Sequence, residues 1–258
     1  KDILVDYSTS DGTATSGSDY IATSGTLEIK AGNTSNWFSI PILPDSLDEN
    51  NETIIVTLTN PSNASILDSS STLTITDDDI KPILNISNTI SHEDSKNASL
   101  IVSLTSPSAK DILVDYATSD GTATSGFDYI ATSGTITIAA GDTSGSFSIP
   151  ILADSLDENN ETIIINLSNA SNSSFSDYSS ILTITDDDTA PTLSISDVTT
   201  PDENGKDINI SIGISTPSEK DITFDYSTQD GTATSGFDYT ATSGTITIAA
   251  GDTSGSFS

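Results

Sequence analysis

The stretch Ala131-Thr132-Ser133-Gly134-Thr135-Ile136-Thr137-Ile138-Ala139-Ala140-Gly141-Asp142-Thr143-Ser144-Gly145-Ser146-Phe147-Ser148 recurs letter for letter at 241–258. Within it Ile136 and Ile138 alternate with threonines, a Gly-Asp turn follows, and Phe147 begins a second alternation that continues through Ile149 and Ile151. A period of two puts the apolar residues on one face of a strand and Ser or Thr on the other. The same period runs outward through Leu100-Val102-Leu104, Ile112-Val114-Tyr116, Ile163-Ile165-Leu167 and Leu182-Ile184. With an opening strand around Ile83-Asn85-Ser87, one repeat holds about seven strands, separated by turns at Asp120-Gly121, Ser133-Gly134, Ala140-Gly141-Asp142 and Glu158-Asn159-Asn160. Seven short strands in about 110 residues predict an immunoglobulin-like β-sandwich.

An exact long repeat implies tandem modules, each with its own core. The triplets Asp77-Asp78-Asp79 and Asp186-Asp187-Asp188 close successive copies 109 residues apart. The expected organisation is an incomplete module over 1–79, a complete one over 80–189 and another incomplete one over 190–258, an all-β array cut from a longer protein. The joints, Ile80-Lys81-Pro82 and Thr189-Ala190-Pro191, are short, and proline restricts both itself and the residue before it. An elongated rod is the expected shape.

The formal net charge is −31, from 38 acidic residues against seven lysines and no arginine. Nucleic acid and anionic membrane surfaces are therefore poor partners, because binding them relies on Lys and Arg. No stretch is long and apolar enough to insert in a membrane. Cations are the natural partners. With no cysteine there is neither a disulfide nor a thiolate metal site. The one histidine, His92, reads as an exposed turn residue, and the one tryptophan, Trp37, is too little to line a sugar cleft. The chain is not expected to be an enzyme.

Several motifs together resemble the Calx-β domain, a family found in the regulatory region of sodium–calcium exchangers, in integrin β4 and in large microbial surface proteins. They are Val114-Asp115-Tyr116, Asp120-Gly121-Thr122-Ala123, Gly126-Phe127-Asp128-Tyr129, Gly134-Thr135, Ala140-Gly141-Asp142, Asp157-Glu158-Asn159-Asn160-Glu161 and the closing Asp triplet. They occur in the same order in each copy. The resemblance implies a Ca2+ site at one end of the sandwich, formed in the complete module by Glu93, Asp128, Asp154, Glu158, Glu161, Asp186, Asp187 and Asp188. In the first module it implies Asp19, Asp45, Glu49, Glu52, Asp77, Asp78 and Asp79, and in the third Glu203 and Asp238. Single acids in Ala153-Asp154-Ser155 and Pro44-Asp45-Ser46, where family sensors carry runs, imply one to three ions per site; Asp48 and Asp157 are candidate outer ligands. Asp120 reads as a turn residue.

Calcium takes six to eight hard oxygen ligands in irregular geometry. Two carboxylates about 4 Å apart repel by about 4 kcal/mol at an effective dielectric of 20, so such a gathering needs a counter-ion. Magnesium demands a tight octahedron, and zinc prefers His and Cys. The near-identity of the copies suggests a calcium-stiffened segment of an extracellular or cell-surface adhesin stalk or fibre. Its partners would be calcium, neighbouring repeats and other copies of the chain in a fibre. The alternatives are a regulatory calcium sensor, as in the exchangers, and a ligand-binding adhesin domain.

Overall fold

The computed structural model describes residues 1–199, 204 and 207–258. Among these every regular element is a strand. The first module carries β1 (Ile3–Asp11), β2 (Ser24–Ile29), β3 (Glu52–Ser62) and β4 (Ser70–Ile75), in one antiparallel sheet ordered β2-β1-β3-β4.

The middle module shows the whole sandwich. Its strands are β5 (Ile83–Ile86), β6 (Thr89–His92), β7 (Asn97–Leu104), β8 (Ile112–Asp120), β9 (Ser133–Ile138), β10 (Ser144–Pro150), β11 (Glu161–Ser168), β12 (Ser174–Phe175) and β13 (Ser179–Thr185). They form two sheets, β10-β7-β5-β12 and β6-β13-β11-β8-β9. The expected opening strand is divided between them. β5 pairs antiparallel with β7 and parallel with β12, whereas β6 crosses over and pairs parallel with β13. His92 therefore ends a strand instead of lying in a turn, and its Nδ1 is 3.0 Å from Thr185 Oγ1.

The alternation read from the sequence selects the core. Leu100, Val102, Ile112, Val114, Ile136, Ile138, Phe147, Ile149, Ile151, Ile163, Ile165, Leu167, Leu182 and Ile184 are all buried in one cluster. Tyr116 of β8 stacks on Phe147 of β10 with ring centroids 4.0 Å apart, tying one sheet to the other. The pair recurs as Tyr7–Phe38 and Tyr226–Phe257 in the flanking modules.

The third module contains β14 (Leu193–Ile195), β15 (Ile210–Ile214), β16 (Ile222–Ser227), β17 (Ser243–Ile248) and β18 (Ser254–Phe257). They make the sheets β14-β15-β18 and β16-β17. Among the described residues the first module thus shows one sheet, equivalent to β9-β8-β11-β13 of the middle module, and the third shows part of both.

The joints are more than short linkers. The loop after β7 docks on the acidic loop of the preceding module: Ser108 Oγ donates to Asp48 O (3.0 Å) and Oδ2 (3.2 Å), and Lys110 Nζ donates to Asp48 Oδ1 at 2.9 Å. The second joint repeats this arrangement with Ser218 on Asp157 O and Oδ2, both at 3.0 Å, and Lys220 on Asp157 Oδ1 at 2.7 Å. Asp48 is 2% and Asp157 8% exposed. These two acids were expected to be outer metal ligands. They are instead the sockets of the inter-module joints, because a carboxylate this buried is held by the lysine and serine that enclose it.

Candidate metal centre

Backbone geometry fixes the first candidate ligand. In the turn after β8, Gly126 has φ +94°, a left-handed conformation that favours glycine, and its N–H donates to Tyr129 O at 2.8 Å. The turn curls Asp128 back on itself, so that Thr124 N donates to Asp128 Oδ2 at 2.6 Å. Tyr129, fully buried, donates its hydroxyl to Asp120 Oδ1 at 2.6 Å, and Ser125 N donates to the same oxygen at 3.0 Å. Asp120 thus anchors the turn, the role its sequence context indicated. At the preceding glycine, Gly121, a Cβ would come within 2.4 Å of Thr162 O, so only glycine lets β8 pass β11 this closely.

The second contribution comes from the loop between β10 and β11. Leu152 N donates to Asp128 O at 2.9 Å, fastening this loop to the turn. Asp154 caps its own bend by accepting from Leu156 N at 2.7 Å, and Asp154 N donates to Glu93 Oε1 at 2.9 Å. Glu93 leaves β6 and is 5% exposed. From the end of β13, Asp186 N donates to Asn160 Oδ1 at 3.2 Å.

These supports bring the carboxylates into two groups, Glu93 with Asp154 and Asp188, and Asp128 with Glu158 and Glu161. In each, one oxygen per residue lies within 4.8 Å of the others. Asp186 lines the same cavity as Glu93, Asp128, Glu158 and Glu161. In the first module Asp19, Glu49 and Glu52 form the corresponding group, and Asp45, Asp77, Asp78 and Asp79 line the cavity around it. That cavity measures about 140 Å³ and the one in the middle module about 10 Å³. Glu93 forms part of the smaller wall, and its counterpart is absent from the sequence of the first module.

Not every expected ligand is gathered. Within each triplet the exposure alternates: Asp77 and Asp79 are half-buried and Asp78 exposed, Asp186 and Asp188 half-buried and Asp187 exposed. The period of two that governs β13 continues past its end and turns Asp187 outward, so it enters neither group. Asp238 keeps the local turn, accepting from Thr234 N at 2.9 Å, but is exposed. Glu203 lies outside the described residues.

The electrostatics are those of crowded anions. Burial, reinforced by the charges of Glu219, Asp154, Asp128 and Glu161, pushes Glu158 up to about 8. Burial first, then a hydrogen bond and the charge of Asp128, raises Glu161 to about 7. In the first module burial and then Asp19 raise Glu52 to about 7. Glu49, Glu93, Asp79 and Asp188 are also raised, in each case by burial before any neighbouring charge. Asp186 Oδ1 is buried without a hydrogen-bond partner. Groups in this condition take up either protons or a cation. An all-oxygen, anionic, irregular donor set drawn from several loops fits calcium.

Of the joint residues, Ser108, Lys110, Ser218 and Lys220 were not anticipated from the sequence. Their signal was present: three of the seven lysines stand at equivalent places, in Lys1-Asp2-Ile3, Lys110-Asp111-Ile112 and Lys220-Asp221-Ile222.

Comparison with known proteins agrees with the motifs. Sodium/calcium exchanger 1 of Rattus norvegicus is 28% identical over 187 residues, spanning 64% of this chain and 19% of the exchanger. Sodium/calcium exchanger 3 of Homo sapiens is 43% identical over 60 residues, 23% of this chain and 6% of that protein. The chain therefore matches only a small part of these relatives. Among solved structures, the apo-form Calx CBD1 domain aligns with a TM-score of 0.40 at 23% identity, covering 42% of this chain and all of that one. CBD12 from CALX1.2 gives a TM-score of 0.40 at 21% identity over 67% of this chain and 74% of that one. The profile of the Calx-beta domain matches three times, at residues 1–79, 77–188 and 186–257, and the chain belongs to the Calx-beta domain family.

Proposed function

We propose that the chain is a tandem calcium-binding regulatory segment, in which ion binding at the end of one sandwich alters its relation to the next. The observation that carries this reading is the position of the acidic loop. Asp154, Glu158 and Glu161 belong to the cation cluster, and Asp157, between them in sequence, is the socket for Lys220 of the following module. A change at the cluster therefore has a covalent route of one peptide bond to the joint. The similarity to part of two sodium/calcium exchangers supports this sensor reading over the stalk first suggested by the repeat pattern. Binding, not catalysis, is the role proposed, with Asp128, Glu158, Glu161, Glu93, Asp154, Asp186 and Asp188 as the ligands in the middle module.

A structural array remains the second reading, favoured by one observation. Both joints use the same serine, lysine and aspartate in the same bonding pattern, as equivalent repeats of a stalk would. The extracellular setting, adhesion and fibre formation go with that reading alone. Calorimetric titration with calcium separates the two. Sensors bind at about 10⁻⁷–10⁻⁵ M and extracellular modules at about 10⁻⁴–10⁻³ M. A dissociation constant in the first range, with a change in scattering on binding, supports regulation; one in the millimolar range supports the stalk.

A further inference from the structure

Each module ends one sheet on the equivalent strand: β2 in the first, β9 in the middle and β17 in the third. An edge strand presents main-chain groups that no neighbour satisfies. Just before these strands Thr9 N donates to Thr23 O at 2.9 Å, Thr118 N to Thr132 O at 3.0 Å and Thr228 N to Thr242 O at 2.9 Å. Antiparallel residues alternate between those that bond the neighbouring strand and those that turn N–H and C=O away from it. Counted from those bonds, Ser133, Thr135 and Thr137 direct these groups away from β8, as Ser24, Thr26 and Glu28 do from β1 and Ser243, Thr245 and Thr247 do from β16.

The chain closes one of the three edges and leaves two open. On β2, Asn36 Nδ2 donates to the outward carbonyl of Glu28 at 2.7 Å, and Glu28 and Lys30 add charges that discourage pairing. β9 has Thr137 and Ala139 in place of Glu28 and Lys30, and Gly145 in place of Asn36. A Cβ on Gly145 would stand 2.6 Å from Ile136 Cγ2, so no side chain fits there to cover Thr137 O; Gly255 meets Ile246 in the same way at 2.7 Å. Ser133, Thr135 and Thr137 are exposed, and among the described residues their outward main-chain groups have no hydrogen-bond partner. In a chain of net charge −31, the stretch 131–148 holds one charged residue, Asp142.

We propose that β9 and β17 are pairing edges for a second copy of this chain, joined antiparallel about a two-fold axis at Thr135 or Thr245. The strand itself selects this occupant. Its outward residues are spaced evenly about Thr135, so an antiparallel copy sets Thr135 opposite Thr135 and Ser133 opposite Thr137, each pair exchanging two main-chain bonds. Such a patch is self-complementary, as a two-fold contact requires, and it brings no charged side chains face to face. β9 and β17 are identical, so either edge accepts either strand.

Sedimentation velocity of the 258-residue chain, with calcium held constant, tests this. Association should be reversible, and stronger at about 0.5 M than at about 0.05 M salt, which screens the repulsion between two acidic chains. Thr137→Lys combined with Thr247→Lys changes exposed positions where β2 already carries a charged residue, and should weaken association by about 10-fold or more. Ala117→Lys combined with Ser227→Lys adds the same charge at exposed positions one strand in from the edge, and should not weaken it. Bulk repulsion alone predicts stronger association in both pairs of variants. Hydrogen exchange should show the amides of Ser133, Thr135 and Thr137 gaining protection as the chain associates, and that of Glu28 unchanged. A chain that stays monomeric up to about 1 mM in the higher salt overturns the proposal. So does association that survives the edge substitutions, or an equal loss in both pairs of variants.

Discussion

Lys110 of the middle module places its ammonium nitrogen 2.9 Å from Asp48 of the first, a carboxylate only 2% exposed. The pair is asymmetric, since the lysine side chain reaches the socket with 14% of its surface still in water. Removing the lysine strands a buried charge, whereas removing the aspartate frees a cation that can turn to solvent. Lys110→Ala should therefore cost about 3 kcal/mol and Asp48→Ala about 1–2 kcal/mol, measured by denaturant unfolding of the full chain. Equal costs would mean the socket is wet.

Calcium should raise the melting temperature. At 100 times the dissociation constant, binding to the folded state alone adds about 2.7 kcal/mol. Magnesium should add less, because the irregular oxygen cage does not suit a tight octahedron. A melting curve indifferent to calcium at low ionic strength would remove the metal centre from consideration.

Substitutions within the cluster should follow the observed directions of the side chains. Glu158→Ala and Asp186→Ala remove oxygens lining the cavity and should weaken binding by about 10-fold or more. Asp187→Ala removes an exposed carboxylate outside both groups and should have a much smaller effect; Asp142→Ala, in the exposed turn after β9, should have none. Calorimetry on the four variants gives the order, and a loss for Asp187→Ala as large as for Glu158→Ala would show that the triplet rotates on binding.

Stability without metal should depend on pH with a definite sign. Glu158, Glu161 and Glu52 have folded pKa values of about 8, 7 and 7, raised from 4.5. Their stabilising contribution is complete below 4.5 and is lost as pH rises through the folded values. The calcium-free melting temperature should therefore fall from about pH 5 to about pH 8, and calcium should reverse the fall while releasing protons. Asp157 acts in the opposite sense. Its pKa is lowered first by the hydrogen bond from Lys220, so its contribution appears above 3.8 and is lost on further acidification. A calcium-free melting temperature that rises between pH 5 and 8 would contradict the crowding of the carboxylates.

The strands were legible where burial imposes alternation. Ile163-Ile165-Leu167 and Leu100-Val102 face a core on one side and water on the other, and the sequence carries that difference residue by residue. β6 escaped because its only large apolar residue, Ile90, is 70% exposed, so no inward set marks the strand; β12, two residues long, has no period at all. The acids that the structure gathers were legible through the family motifs and their clustering, whereas the outward direction of Asp187 depends on how far the β13 pleat continues. The pairing at the joint was hidden for another reason, although its lysine recurs at equivalent places. Asp48 and Lys110 are 62 positions apart in different modules, and a charge pair at that separation leaves no local pattern.

Ser108 belongs to two structures at once. Its hydroxyl enters the socket on the preceding module, while its carbonyl accepts from Gly141 N at 2.8 Å within its own. Ser218 and Gly251 repeat the bond at 2.8 Å. The plug is thus shaped before it docks, and little loop freedom is lost when it does. The middle module carries a plug on one end and a socket on the other, so its contacts with its two neighbours run head to tail. Duplicating the gene segment for one unit would add a further joint already fitted at both ends. Array length is therefore a quantity that recombination can change without designing a new interface.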